Sequence, residues 1–472
     1  MIGNAKVKAP KQQPLANRLA AAAGADLRAW IADNAVELRA AIAQLSNEDV
    51  PRPPRNPDPD KPQPREDTST LLPFDEYDHV IVNFSGGKDS VACALWAIEN
   101  FGRERVELQH QCVDGRPGSP HVFDWVCTEG YCSALAEHLR VPIYFSWREG
   151  GIIREMQREN SKTAGVTFQT PTGEIHVPIG DQAEDATRRV LGPDGRVAPG
   201  MSPAWPAQSA DLATRWCSRL VKVDVGRRVI NYDPRFSHKP YEARARAKRE
   251  TEKLAKKLAD QAERAAVRAQ NNALNVEAKS VLAANKAAER IAKAAGRKQN
   301  PEKTRLNILV LTGERREESG ARARYATCER HYSTNKFRRV DSYRPILAWP
   351  EVRVWAAMRH AGIVPHPCYW LGFGRASCET CIFAQAPEWA TIRAIDPVRF
   401  DLFRRLEEWA GATITQGRSV VVQADRGESL LPRGAEAWRA QAMTPHYTLP
   451  VHVAPSAWRY PPGAFRHTAG PT

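Results

Sequence analysis

Hydrophobic positions switch between two periods along the middle of the chain. Val80–Val82, Val106–Val113, Val141–Phe145 and Leu306–Leu311 are short, mostly apolar runs bounded by turn residues, as buried strands are. Val91–Trp96 and Asp124–Leu139 instead carry apolar residues at helical spacing. Strands alternating with helices predict an α/β fold with a doubly wound parallel sheet, whose ligands sit at the carboxyl ends of the strands. A short helical pattern at Ile152, Ile153 and Met156 follows, and Gly/Pro-rich sequence through Pro206 predicts long surface loops. Pro345–Pro350 leads into a helix ending near His360, and helical sequence runs on to about Gly411. From Thr444 the chain is Pro-rich, which predicts a mobile tail.

These patterns divide the chain. Residues 1–50 form an N-terminal helical segment with apolar positions at Leu27, Trp30, Ile31, Val36, Leu38, Ile42 and Leu45. A Pro-rich linker at 51–70 carries seven prolines between 51 and 66. The first part of the α/β domain spans 71–235, and its last strand lies in 301–345. Between them 238–300 is a basic, Ala/Lys-rich helical insertion. A helical region with clustered cysteines follows at 346–411, then a C-terminal extension at 412–472. In 241–300 about 15 Lys and Arg stand against about 7 Asp and Glu, roughly half the net charge. The apolar stripe there is mostly alanine, so the insertion should project as an arm, suited to nucleic acid or a partner, or simply solvated.

One stretch carries the clearest chemistry. After Val80–Val82 come Asn83 and Phe84, then Ser85-Gly86-Gly87-Lys88-Asp89-Ser90, then a helix. Two glycines allow a sharp turn with N–H groups pointing outward, and the helix adds the positive end of its dipole. Lys88 adds charge, Ser85 and Ser90 add hydroxyls, and Asp89 would hold Mg²⁺ or cap the helix. This is a phosphate loop, but not Walker A: Val82 stands where that motif needs Gly, and Asp89 where it needs Ser or Thr.

Two further groups belong beside it. The strand Leu306–Leu311 stops at Thr312-Gly313 and launches Arg315, Glu318 and Arg322, arginines that pair with phosphate or carboxylate or form an ion-pair cluster. Cys378 and Cys381 have chelating spacing, with Cys368 ten residues before them and Cys217 in a basic segment, Thr214–Lys222. Four such cysteines suit tetrahedral zinc or an iron–sulfur cluster, and the pair alone suits a redox dithiol. Cys93, Cys112, Cys127, Cys132 and Cys328 are scattered and read as buried. Nine cysteines in 472 residues without framework spacing exclude a secreted disulfide scaffold. A net charge of +14 favours anionic partners such as nucleotides or nucleic acid. No signal peptide and no apolar run near 18 residues is seen, which predicts a soluble, cytoplasmic protein without membrane partners.

Together these residues resemble the phosphoadenosine phosphosulfate (PAPS) reductase-like branch of the PP-loop superfamily, the N-type ATP pyrophosphatases of HUP-type fold. The matching parts are Ser85–Ser90; Arg215, Cys217 and Lys222; Gly313–Arg322; Pro345 and Trp349; and Gly372, Arg375, Cys378 and Cys381. The resemblance implies ATP binding over Ser85, Gly86, Gly87, Lys88, Asp89 and Ser90, with adenosine near Asp114 or the loop after Val82, and Gly313 at the site. It also implies attack on the α-phosphate with release of pyrophosphate, stabilised by Lys88, Arg315 and Arg322. Sulfur transfer follows, with an iron–sulfur cluster or zinc on Cys217, Cys368, Cys378 and Cys381. A DNA or RNA substrate and a sulfur-donor protein fit that picture. True sulfonucleotide reductases of this branch use a cysteine in a C-terminal tail, and no cysteine follows Cys381 here. Reduction of adenylyl sulfate or its 3′-phosphate is therefore the alternative, with a non-catalytic nucleic-acid-binding module as the third reading.

Overall fold

The computed structural model describes residues 71–157, 162–178, 205–206, 208, 215–236, 305–415 and 417–466. The N-terminal helical segment, the Pro-rich linker and the basic insertion lie outside the described residues.

Five parallel strands make the centre: β1 (His79–Asn83), β2 (Val106–Cys112), β3 (Ile143–Arg148), β6 (Leu306–Leu311) and β8 (Arg338–Tyr343). β4 (Val166–Thr170) and β5 (Gly173–Val177) extend one side antiparallel, and β7 (Cys328–Arg330) closes the other, giving the order β5-β4-β3-β2-β1-β6-β8-β7. β1 pairs with β2 through Val80 and Val106, and with β6 through Val80 and Leu309. Every residue of β6 is buried, because a central parallel strand is covered on both faces and must be apolar throughout. From β1 the chain winds outward to β2 and β3, then returns to build β6 and β8 on the other side. The order therefore reverses between β1 and β6, which opens a crevice at their carboxyl ends.

Helix α1 (Lys88–Phe101) returns from β1 and buries Val91, Ala92, Cys93, Ala94 and Ala97, small residues that permit close approach to the sheet. Among the described residues the other α-helices of four or more residues are α2 (Thr128–Leu139), α3 (Gly151–Met156), α4 (Asp224–Tyr232), α5 (Gly320–Ala323), α6 (Glu351–His360), α7 (Pro367–Trp370), α8 (Ala386–Ile395), α9 (Pro397–Ala410), α10 (Val420–Arg426) and α11 (Glu436–Ala442). A π-helical turn, Arg219–Val223, leads into α4.

Three expectations change. The Gly/Pro-rich stretch contains the β4–β5 hairpin, missed because most of β5 is exposed and carries Glu174 and His176. β8 was hidden by its charges, Arg338, Arg339 and Asp341, although all but one of its residues are buried. The segment from Thr444 to Arg466 is packed, not mobile. Val364 N donates to Val451 O at 2.9 Å, Trp458 Nε1 to Ile363 O at 2.6 Å, and Gly463 N to Tyr369 O at 2.8 Å. Trp458, Ala464 and Phe465 are buried.

Candidate functional site

Ser85–Ser90 occupies the crevice end of β1. Gly86 has φ +75°, a left-handed conformation that favours glycine, and a Cβ there would lie 2.9 Å from Cys132 Sγ. Ser90 Oγ donates to Gly87 O at 2.9 Å and accepts from Ser85 N at 3.2 Å, closing the loop on itself. Gly87 is the N-cap of α1, so the dipole of a 14-residue helix points at the loop. Gly313, at the end of β6, touches the loop from behind: a Cβ there would lie 2.6 Å from Asp89 O and 2.9 Å from Ser90 N.

A cavity of about 930 Å³ opens over this loop. Its walls come from the loop, from Thr312–Arg315, from Gln109 and Gln111 on β2, from Gly226 and Arg227 on α4, and from Gly374–Ser377. The volume suits a nucleotide.

The charged residues form a braced network. Lys88 Nζ lies 3.3 Å from Asp89 Oδ2, 3.6 Å from Glu351 Oε1 and 3.4 Å from Gly374 O. Its backbone N donates to Tyr369 OH at 3.0 Å. Burial would lower the Lys88 pKa, but Asp89, Tyr369 and Glu351 outweigh it and hold the ammonium well above its ordinary value. Arg315 Nε donates to Asp89 Oδ1 at 2.5 Å and Arg315 NH1 to Glu317 at 2.9 Å. Burial raises the Asp89 pKa, yet Lys88 and Arg315 prevail and lower it. Arg322 pairs with Glu318, which also accepts from Arg315 N at 2.7 Å. The sequence-predicted residues Lys88, Asp89, Gly313, Arg315 and Arg322 thus meet at one cavity, where Lys88 and Arg315 both pair with Asp89 and so brace the loop.

Asp114 does not line the cavity. It accepts from Phe123 N at 2.9 Å and Asp124 N at 2.8 Å, ordering the turn before α2. Burial pushes it up to about 6, against those two hydrogen bonds.

A second chamber, of about 330 Å³, adjoins the first and shares Lys222, Glu314, Arg322, Arg375 and Ser377 with it. Cys217, Cys378 and Cys381 line it, with Arg215. Burial pushes Cys217 up to about 11, and Cys378 well above its ordinary value against the pull of Lys222. The guanidinium of Arg215 is buried with Nε and NH1 unpartnered. Burial, with Arg322 and Arg375 repelling it, lowers its pKa.

The expected metal ligands do not assemble. Cys368 lines neither chamber; it is fully buried on α7, its backbone N donating to His366 Nδ1 at 3.2 Å. Among the described residues, no group of three or more His, Cys, Asp or Glu side chains is placed to hold a metal ion. The four cysteines therefore do not fit a shared zinc or iron–sulfur cluster in this arrangement. Asp89 does not fit as a Mg²⁺ ligand either, since Arg315 takes one of its oxygens and Lys88 the other. Nor does it cap α1, where Gly87 stands. The five scattered cysteines are buried, as expected. No helix among the described residues is long and apolar enough to cross a membrane.

Sequence reasoning missed Tyr369, Glu351, Gln109 and Gln111. Glu351 had one signal, its place directly after Pro350 at a helix start. The others have none without the fold.

Residues 234–384 match the family described as phosphoadenosine phosphosulfate reductase domain, a span holding β6, Gly313–Arg322 and the Cys378/Cys381 pair. An uncharacterised 37.8 kDa protein in the gpA 5′ region of Escherichia phage 186 is 35% identical over 102 residues. That stretch is 22% of this chain and 29% of the phage protein. No solved structure matches the chain significantly.

Proposed function

We propose that this chain, whose residues 234–384 match the phosphoadenosine phosphosulfate reductase domain family, is an ATP-driven adenylating enzyme of the PAPS reductase branch of the PP-loop superfamily that prepares a substrate for sulfur transfer. One observation carries the reading: an intact Ser85–Ser90 loop faces a nucleotide-sized cavity that continues into a thiol-lined chamber. The triphosphate lies over the loop amides and the positive end of α1. Lys88, Asp89 and Arg315 hold that loop rigid, so the donors are set before the nucleotide arrives. A substrate oxygen attacks the α-phosphorus, the bond from that phosphorus to the α,β-bridging oxygen breaks, and pyrophosphate leaves with that oxygen. Arg322 and Arg375, on the wall between the two cavities, face the charge that develops there. A sulfur nucleophile, provided by a donor, then attacks the substrate atom that bears the adenylated oxygen; the bond to that oxygen breaks and AMP leaves with it, with the second chamber as the sulfur's approach. The substrate class that suits a protein of +14 net charge is nucleic acid.

Reduction of a sulfonucleotide remains the second reading, because Cys378 and Cys381 line the adjoining chamber. Pyrophosphate release from ATP, measured with and without DNA or RNA, separates the two. The proposal expects release that nucleic acid stimulates and that Ser85→Ala/Ser90→Ala lowers at least roughly tenfold. Turnover of adenylyl sulfate with a dithiol, and no pyrophosphate from ATP, would instead establish the reductase.

A further inference from the structure

We propose that Gln109 and Gln111 read the base of the bound nucleotide and select adenine over 6-oxopurines. The inference rests on the nucleotide reading above and deepens it. Alternate residues of a strand share a face, so Glu107, Gln109 and Gln111 of β2 project to the same side of the sheet. On that face Glu107 has one carboxylate oxygen paired, accepting from Arg235 NH1 at 2.6 Å, and the other buried without a partner. The two carboxamides have less. Gln109 is 2% exposed, and neither its Nε2 nor its Oε1 has a hydrogen-bond partner. Gln111 Nε2 is likewise buried and unpartnered. Buried amides are normally paired, and leaving both ends of one unmade is costly. Two neighbouring exceptions in the wall of one cavity call for a ligand that completes them.

Their position suits a base. Phe84 N donates to Gln109 O at 2.8 Å, which fixes Gln109 beside the strand end from which the phosphate loop springs. Gln111 stands two residues further toward the carboxyl end of β2, and on the facing helix Gly226 has no side chain to offer it. Ile81, Val229, Ile230 and Val310 give the same cavity apolar surface for a ring. A carboxamide presents one acceptor beside one donor. Adenine presents the complementary pair, N7 as acceptor and the N6 amino group as donor. Hypoxanthine and guanine carry acceptors at both N7 and O6, so they would leave the glutamine carbonyl oxygen unmatched.

The test is equilibrium binding of ATP, inosine triphosphate and inorganic triphosphate to the full chain. Wild type should prefer ATP over inosine triphosphate by roughly tenfold or more. In Gln109→Met, and more so in Gln109→Met/Gln111→Met, ATP affinity should fall to that of inosine triphosphate while inorganic triphosphate binds as before. Gln109→Met removes two buried, unpaired polar atoms at similar volume, so it should melt at or above wild type while losing the ATP preference, which guards against a folding artefact. Equal affinity of wild type for ATP and inosine triphosphate overturns the inference and leaves the nucleotide site standing, with water filling the carboxamides. Failure of wild type to bind any of the three overturns the nucleotide reading itself.

Discussion

At the scale of single residues, the site depends on close approach. Gly313 lets the end of β6 touch the start of α1, and its φ is not the reason; space is. A Cβ 2.6 Å from Asp89 O and 2.9 Å from Ser90 N meets backbone, which cannot swing aside as a long side chain would. Gly313→Ala should therefore displace the phosphate loop, lower ATP affinity at least roughly tenfold, and destabilise the fold by about 1–3 kcal/mol by thermal melt. His366 is a residue whose protonation the fold opposes. Its Nδ1 accepts from Cys368 N at 3.2 Å and its Nε2 lies 3.3 Å from Thr128 Oγ1, an arrangement for neutral imidazole. Burial, with His110 nearby, lowers its pKa from 6.5 to about 3. The unfolded chain then binds a proton that the folded one refuses. Stability from this group is fully present above pH 6.5 and is lost progressively as pH falls toward 3, by up to about 1.4 kcal/mol per pH unit. Chemical denaturation at pH 7 and pH 5 should show that loss in wild type, and His366→Asn should flatten it.

At the scale of elements, the Asp89–Arg315 pair ties α1 to the segment after β6. Arg315 is 3% exposed, so removing Asp89 leaves a buried guanidinium without its main partner. Asp89→Asn should cost about 3 kcal/mol or more, and Asp89→Asn/Arg315→Met should cost clearly less than the sum of the two single changes. Urea denaturation of the four proteins gives the coupling, and additive costs would show that the two elements are joined by other contacts. This link also shows what was legible beforehand. β1 and β6 could be read from the chain because strands covered on both faces are apolar throughout, and the glycine loop because turning there requires Gly86. Arg315 could be placed beside the loop by its strand end, but not its partner. The ion pair joins residues 226 positions apart, and nothing local distinguishes an arginine that faces phosphate from one that braces a helix. The cysteines divide for the same reason. Cys378 and Cys381 were legible as a pair by spacing, whereas the fold sends Cys368 into the core and brings Cys217 alongside.

At the scale of the whole molecule, the C-terminal segment is part of the site's foundation. Proline-rich composition suggested a loose tail, because proline forbids helix and central strand and leaves no periodic pattern to read. Its order comes from tertiary contacts. Gly463 N holds Tyr369 O at 2.8 Å, and the Tyr369 hydroxyl in turn accepts from Lys88 N at 3.0 Å and from Ala376 N at 3.2 Å. Trp458 and Phe465 gather round Trp355, whose ring lies 5.2 Å from that of Tyr369. The tail thus supports the tyrosine that fixes the first residue of α1, and it places Arg466 in the cavity wall. Trp458→Ala removes a side chain 3% exposed and should cost about 3–5 kcal/mol, a large share of the 5–15 kcal/mol typical of a domain. Ending the chain after Thr444 removes Trp458, Phe465 and Leu449 together and should leave no cooperative melt. Two milder changes separate support from contact. Tyr369→Phe keeps the packing but loses both hydrogen bonds, so it should weaken ATP binding several-fold with a small fall in melting temperature. Arg466→Ala should leave the melt unchanged and weaken ATP binding only if the cavity wall meets the nucleotide there. An undiminished melt and full ATP affinity in the shortened chain would show that the tail merely rests on a site complete without it.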